Sequence, residues 1–401
     1  MIRFAGKRFH PYSSCSHPVH PAILPPRLSP MARSDLILRL HFFMLPALNI
    51  PEHRKAIDKL DARLVRLLSE RTRHVLAIGE IKRSGGQEIY APHRERAVLD
   101  RIARLNPGPM TAQQLRAIYR EIMSSALALE KTLAIAYLGP EATFTHQAAI
   151  RRFGSSLHYA AQKTIADVFT EVQKGRADYG VVPVENSTEG VVTHTLDMFV
   201  DSELKIVSQI ILPIQYCLAG NGGGVKYIKR LHIHPQALGQ CRRWVQQNLS
   251  GAEILEASSN ARSAELASRD RKAGAVTGYL AAEKYCLQIL EQDIQDNAAN
   301  ATRFLVLGRQ CSPPTGLDRT SLMISVTDKV GALHEALASF RRAKINLTKI
   351  ESRPSKRKAW EYFFFIDCDG HAQEKKVERT IRNLGEHCNF VKILGSYPNS
   401  D

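Results

Sequence analysis

The sequence predicts a multidomain protein: an all-α segment, then an α/β segment, then a small α+β segment of ferredoxin-like order. Three observations carry this. From Pro51 to Lys131 apolar residues recur mostly three and four apart, the helical period. From Thr132 to about Cys311 short β-rich runs alternate with helical patterns, as in open α/β sheets. From about residue 320 to 398 the pattern reads strand, helix, strand, strand, helix, strand. The expected boundaries are an N-terminal arm at 1–45, a helical domain at 46–131, an α/β domain at 132–311 and a terminal domain at 317–398.

The arm is rich in Pro, Arg, Ser and His, and Asp35 is its single acidic residue. That composition suits a transit peptide. It also suits a translated leader, with a true start at Met31 or Met44.

In the helical segment Ile57, Leu60, Leu64, Leu67, Val75, Ile78 and Ile81 mark one long helix. Pro51 suits a first helical turn, and Ser84-Gly85-Gly86 ends the run. At 1.5 Å per residue such a helix is roughly 50 Å long. A domain of this size does not cover it, so a homodimer or higher homo-oligomer is expected. A second helix is predicted from Pro92 to Leu105, and a third from Thr111, a plausible N-cap, to Lys131. Arg71 and Lys82 differ by only about 20° around the first helix and share a face, whereas Arg54 sits about 100° from Arg71. By spacing alone these three charges read first as a solvated surface, although Arg54 could join the site in an antiparallel dimer.

In the α/β segment Leu133–Leu138 reads as a strand ending in Gly139-Pro140. Further strands are expected at Tyr179–Val184, Lys205–Leu212, Ala273–Thr277 and Arg303–Leu307. Two of them end in small hydrogen-bonding residues, Glu185-Asn186-Ser187 and Asn300-Ala301-Thr302. In open α/β folds ligand sites lie at such strand ends. His234-Pro235-Gln236, Gln240 and Ser258-Ser259-Asn260 add polar loops or helix caps. Each of these alone is equally a structural turn.

The chain has 401 residues, a net charge of +16 and 44% hydrophobic residues. No uninterrupted apolar run reaches the ~18 residues of a membrane span; Leu36–Ile50 is broken by Arg39, His41 and Pro46. The seven cysteines form no CxxC pair and no zinc-spaced cluster. No metal and no cofactor are therefore expected, and a reducing cytoplasm is the simplest location. The basic residues are dispersed over amphipathic helices without a recognition module, so no nucleic-acid partner is expected. Small anionic substrates would also be drawn to such a surface.

Pro51 to Lys131, with Arg54, Arg71, Lys82 and Arg94-Glu95 at these spacings, resembles the all-helical chorismate mutases, whose chains intertwine as dimers. The resemblance implies that Arg71 and the partner's Arg54 hold two substrate carboxylates. It implies that Lys82 donates to the ether oxygen and that Glu95 takes the ring hydroxyl beside the backbone of Ala91. Glu130 stands where glutamine often gives a second donor, and a glutamate donates only when protonated. Ala126 replaces a serine, and Ala91 an aspartate. Such a site suits the chemistry: a pericyclic rearrangement needs a held conformer and stabilised charge, with no nucleophile.

The α/β motifs, in this order, resemble prephenate dehydratases, which have two lobes like a periplasmic binding protein. Here the resemblance implies Thr302 as the donor to the departing hydroxyl, assisted by Asn186, Glu185 and Gln240. His234 more naturally braces its loop than acts as an acid, and Ile233 replaces a frequent serine. Gly331-Ala332-Leu333-His334 and Glu351-Ser352-Arg353-Pro354 resemble the phenylalanine-binding motifs of ACT regulatory domains. His334 stands there for a usual valine. The whole resembles bifunctional chorismate mutase/prephenate dehydratases, with chorismate and prephenate as substrates and phenylalanine as inhibitor. Two rival readings are a dehydratase with an impaired mutase domain and a two-lobed amino-acid sensor; Thr302 and the fused mutase pattern argue against the sensor.

Overall fold

The computed structural model describes residues 49–85, 92–131, 133–355 and 361–399. The arm at 1–45 and Ala91 lie outside the described residues. Two compact units meet in sequence between Leu67 and Leu68. In the first, helix α1 (Ile50–Ser84) begins on Asn49, whose side chain accepts from the Glu52 amide at 3.0 Å while the Asn49 amide donates to the Glu52 carboxylate at 3.0 Å. Two otherwise orphaned donors are thus satisfied. Ile57, Leu60 and Leu64 are more than half exposed along this segment.

The second unit opens with the rest of α1, then α2 (Pro92–Leu105) and α3 (Ala112–Glu130). Thr111 caps α3, as the sequence suggested, and closes a capping box with Gln114.

The α/β region follows: β1 (Ala134–Leu138), α4 (Phe144–Phe153), β2 (His158–Gln162), α5 (Ile165–Gln173), β3 (Tyr179–Asn186), β4 (Gly190–Val191), α6 (Thr193–Met198), β5 (Lys205–Pro213), β6 (Cys217–Gly220), β7 (Arg230–Ile233), α7 (Pro235–Gln240), α8 (Arg242–Asn248), β8 (Glu253–Glu256), α9 (Asn260–Ser268), β9 (Ala273–Thr277), α10 (Tyr279–Lys284), β10 (Gln288–Glu291) and β11 (Ala301–Gly308). These strands form two sheets, in the orders β2-β1-β3-β11-β5 and β10-β6-β9-β7-β8. The chain leaves the first sheet after β5 and returns as β11, which makes two lobes joined by two crossings. β11 runs antiparallel between β3 and β5 and pairs Thr302 with Asn186 and Arg303 with Glu185. Pro183 cannot donate to a ladder, and the register shifts beside it, between Arg303 and Phe304.

The last region has the predicted order: β12 (Asp318–Ser325), α11 (Ala332–Arg342), β13 (Leu347–Pro354), β14 (Tyr362–Asp369), α12 (Lys375–Gly385) and β15 (Phe390–Pro398). Its sheet order is β13-β14-β12-β15. Val182, Val184, Leu305 and Leu307 share a core with Met323, Phe363, Phe365 and Tyr397, so this sheet covers one face of the first lobe. β15 comes so close to β5 that a Cβ on Gly395 would fall 2.7 Å from the Ile206 backbone nitrogen. Only glycine permits that approach.

Candidate active site

A cavity of about 490 Å³ lies among α1, α2, α3 and the end of α4. Arg71 and Lys82 line it from one face of α1, as the spacing required. His93, Arg94 and Glu95 enter from the first turn of α2, and Arg120, Ala126 and Glu130 from α3. Arg152 and Phe153 of α4 complete the wall. The cations Arg71, Lys82, Arg94, Arg120 and Arg152 thus outnumber the carboxyls Glu95 and Glu130. Arg71 Nη1, His93 Nδ1 and Glu130 Oε1 are buried without a hydrogen-bond partner. Such atoms are costly unless a ligand satisfies them. Burial holds the Glu130 carboxyl above its ordinary pKa, against the opposing pull of Lys82 and Arg83. Burial also lowers His93, helped by Lys82 and Arg94. Gly79 makes room for Glu130: a Cβ there would fall 2.5 Å from the glutamate Cδ. Arg54, seventeen residues before Arg71, is exposed.

Sequence reasoning did not single out Arg120, His93, Gly79 or Arg152 as site residues. Arg120 carried a signal, since it falls three and four before Met123 and Ser124 on the inward stripe of α3. Arg152 carried none, because its contacts join distant stretches of chain.

The second constellation sits at the tips of β3 and β11. Asn186 Nδ2 donates to Thr302 Oγ1 at 2.8 Å and to Asn300 Oδ1 at 2.9 Å. Asn300 Nδ2 donates to Gln240 Oε1 at 2.7 Å, and Gln240 Nε2 donates to Glu189 Oε1 at 3.1 Å. Asn186 Oδ1 in turn accepts the amides of Thr188 and Glu189, each at 2.9 Å. Asn186, Asn300, Thr302 and Gln240 are all buried. Gln240 belongs to the second lobe, so this polar chain bridges the two. Asn300 and Glu189 are its links, and the sequence reading had left them out of the site. His234 caps α7 by accepting the Gln236 amide at 3.3 Å, which is the bracing role expected.

Glu185 does not join this network. Successive strand residues point to opposite faces, so the side chains of Glu185 and Arg303 leave the sheet opposite to Asn186 and Thr302. There Glu185 meets Lys349 of β13 at 2.7 Å and Arg303 at 4.0 Å. Arg303 pairs with Asp367 of β14 at 2.6 Å and donates to Tyr397 Oη at 2.8 Å.

In the terminal sheet Gly331 has φ +81°, a left-handed conformation that glycine tolerates, and it precedes α11. Ser325 and Arg353 both pair with Phe363, from opposite sides of β14. Ser325, from which the loop to Gly331 leaves, and Arg353 therefore share one end of the sheet, roughly 10 Å apart at two strand spacings. Ala332 is buried and Leu333 half-buried, and β13 is the outer strand. Glu351 and Arg353 are half-buried, Ser352 and Pro354 are exposed, and Arg353 pairs with Asp197 of α6 at 3.2 Å.

A cationic helical cavity, a two-lobed module with an Asn-Thr-Gln cluster and a ferredoxin-like module define a class of three-module proteins with two separate polar sites. Family models agree with each part: chorismate mutase type II over residues 53–131, prephenate dehydratase over 135–312 and the ACT domain over 320–386. A bifunctional chorismate mutase/prephenate dehydratase of Aquifex aeolicus is 48% identical over 87% of this chain and 98% of its own length. The protein of that name from Neisseria gonorrhoeae is 45% identical over 86% of this chain and 96% of its own. The solved prephenate dehydratase of Arthrobacter aurescens, in complex with L-Phe, matches with a TM-score of 0.62 at 34% identity, over 67% of this chain and 90% of its own. The chain belongs to the bifunctional chorismate mutase/prephenate dehydratase family.

Proposed function

We propose that this chain converts chorismate to prephenate in the helical cavity and prephenate to phenylpyruvate at the Asn186–Thr302 cluster, with phenylalanine as feedback inhibitor. One observation carries the first step: Arg71 and Glu130 hold buried, unpartnered polar atoms in a cavity rich in fixed cations. Arg71 takes one carboxylate of chorismate, and the partner's Arg54 the other. The long apolar stripe of α1, exposed at Leu60, Leu64, Leu68, Ile78 and Ile81, favours a homodimer that covers it. Lys82 and protonated Glu130 donate to the ether oxygen as its bond to the ring breaks and charge grows there. Glu95 accepts the ring hydroxyl, and Ala126 leaves space for the ring.

For the second step, Thr302 Oγ is already engaged by the Asn186 amide, which leaves its own proton free to point at a departing hydroxyl. The electron pair of the breaking ring–carboxylate bond, which releases CO2, moves into the ring as the C–OH bond breaks; the hydroxide leaves stabilised by the Thr302 hydrogen bond, takes a proton from solvent to become water, and the ring becomes aromatic. Asn300, and beyond it Gln240 from the facing lobe, hold Asn186 and through it the donor in place. Gly331–Leu333 and Glu351–Pro354 form the effector site, with phenylalanine at an interface between two copies. A cytoplasmic location follows from the biosynthetic chemistry, and no helix among the described residues is long and apolar enough to cross a membrane.

Single substitutions test the assignment in the full chain. Lys82→Ala should abolish prephenate formation from chorismate yet leave prephenate dehydration, and Thr302→Ala should do the reverse. Loss of both activities from either folded variant would refute two separate sites.

A further inference from the structure

The mutase cavity is not closed by the helical segment alone. α4, which follows the first strand of the α/β region, brings Arg152 and Phe153 into its wall. The joint is built and does not depend on one contact. Gly154 follows α4 with φ +79° and sits so close to α3 that a Cβ would fall 2.6 Å from Ser124 Oγ. The Ser155 amide and hydroxyl donate to Glu121 at 3.0 and 2.6 Å, and the Ser156 amide donates to Ser124 at 3.2 Å. These bonds fix the end of α4 against α3. Arg152 Nη2 then lies 3.5 Å from Glu95 Oε2, with the two side chains only 16% and 11% exposed. Arg120, on the neighbouring turn of α3, also faces Glu95 electrostatically.

We infer that Arg152, a residue of the dehydratase module, is a positioning residue for the mutase reaction: it orients the Glu95 carboxylate toward the ring hydroxyl of chorismate. A carboxylate with several cations nearby can turn toward any of them, and the Arg152 guanidinium at 3.5 Å favours the orientation that faces it. The first module therefore borrows part of its site from the second. The inference rests on the assignment of chorismate to this cavity.

The test uses the full-length chain. Arg152→Met keeps the stem and removes the charge; Arg152→Lys keeps a cation. Mutase kcat/KM should fall roughly 10- to 100-fold in Arg152→Met, the scale of a misplaced substrate group, and return largely in Arg152→Lys. Arg152→Met/Glu95→Gln should be no slower than Glu95→Gln alone, because Arg152 acts through Glu95. That double variant also leaves no unpaired carboxylate should Arg152→Met fold poorly. With a chorismate analogue lacking the ring hydroxyl, wild type and Arg152→Met should turn over alike. A wild-type rate on chorismate in Arg152→Met, or fully additive losses in the double variant, overturns the inference. Lys82→Ala, run beside them, separates the two claims: mutase activity that survives it overturns the cavity assignment instead.

Discussion

Gly79→Ala isolates the packing of Glu130. The new Cβ would fall 2.5 Å from Glu130 Cδ, where ordinary contact begins at 3.4 Å, so the carboxyl must retreat by about an ångström. Alanine is favoured over glycine in a helix interior by about 1 kcal/mol. Overpacking costs ~1–3 kcal/mol. The two nearly offset, so the fold should survive with a melting temperature close to that of the parent or a few degrees below. Activity should not survive so well, since a displacement of this size near reacting atoms costs on the order of 100-fold. Chorismate consumption and phenylpyruvate formation from prephenate, measured in the same preparation, should part company: the first slow, the second normal. Glu130→Ala in the same background should restore the melting temperature, because the clash is gone, without restoring the mutase. A Gly79→Ala enzyme with the parental mutase rate would refute the placement of Glu130 against α1.

Burial raises the Glu130 pKa, so the carboxyl is protonated below that raised value and ionised above it. As a donor it works only when protonated; mutase activity should fall as pH rises through that region, and Glu130→Gln should flatten the profile of rate against pH. Bulky substitution of Gly331, at φ +81°, should weaken phenylalanine binding measured by titration calorimetry; binding as tight as the parent's would remove Gly331 from the effector site. Gly395→Val should separate β15 from β5, and the terminal module should then become more susceptible to protease than in the parent.

Periodicity made most of the architecture legible. The helix from Pro92 to Leu105 and the strand Ala273–Thr277 have the bounds their sequence patterns gave. The same periodicity put Arg71 and Lys82 on one face, and both reach the cavity. Glu185 parts from the motif it belongs to in sequence. Glu185 and Asn186 are neighbours in sequence, but the pleat sends them to opposite faces, and only Asn186 meets Thr302. Arg152 and Asn300 escaped for a different reason. What makes each of them matter is a partner more than fifty residues away, Glu95 for one and Gln240 or Asn186 for the other. No local pattern encodes such a meeting.

The alternation at β3 and β11 makes each strand tip a two-sided plate. One side carries Asn186 and Thr302; the other carries Glu185 and Arg303, gripped by Lys349, Asp367 and Tyr397 of the terminal sheet. The thickness of that plate is a single peptide unit. Lys349, from the same strand as Glu351–Pro354, pairs with Glu185, and the next residue along the chain is Asn186. Were phenylalanine held on the terminal sheet as proposed, the route from it to Asn186 and Thr302 would need no long wire, because Lys349, Glu185 and one peptide bond span it.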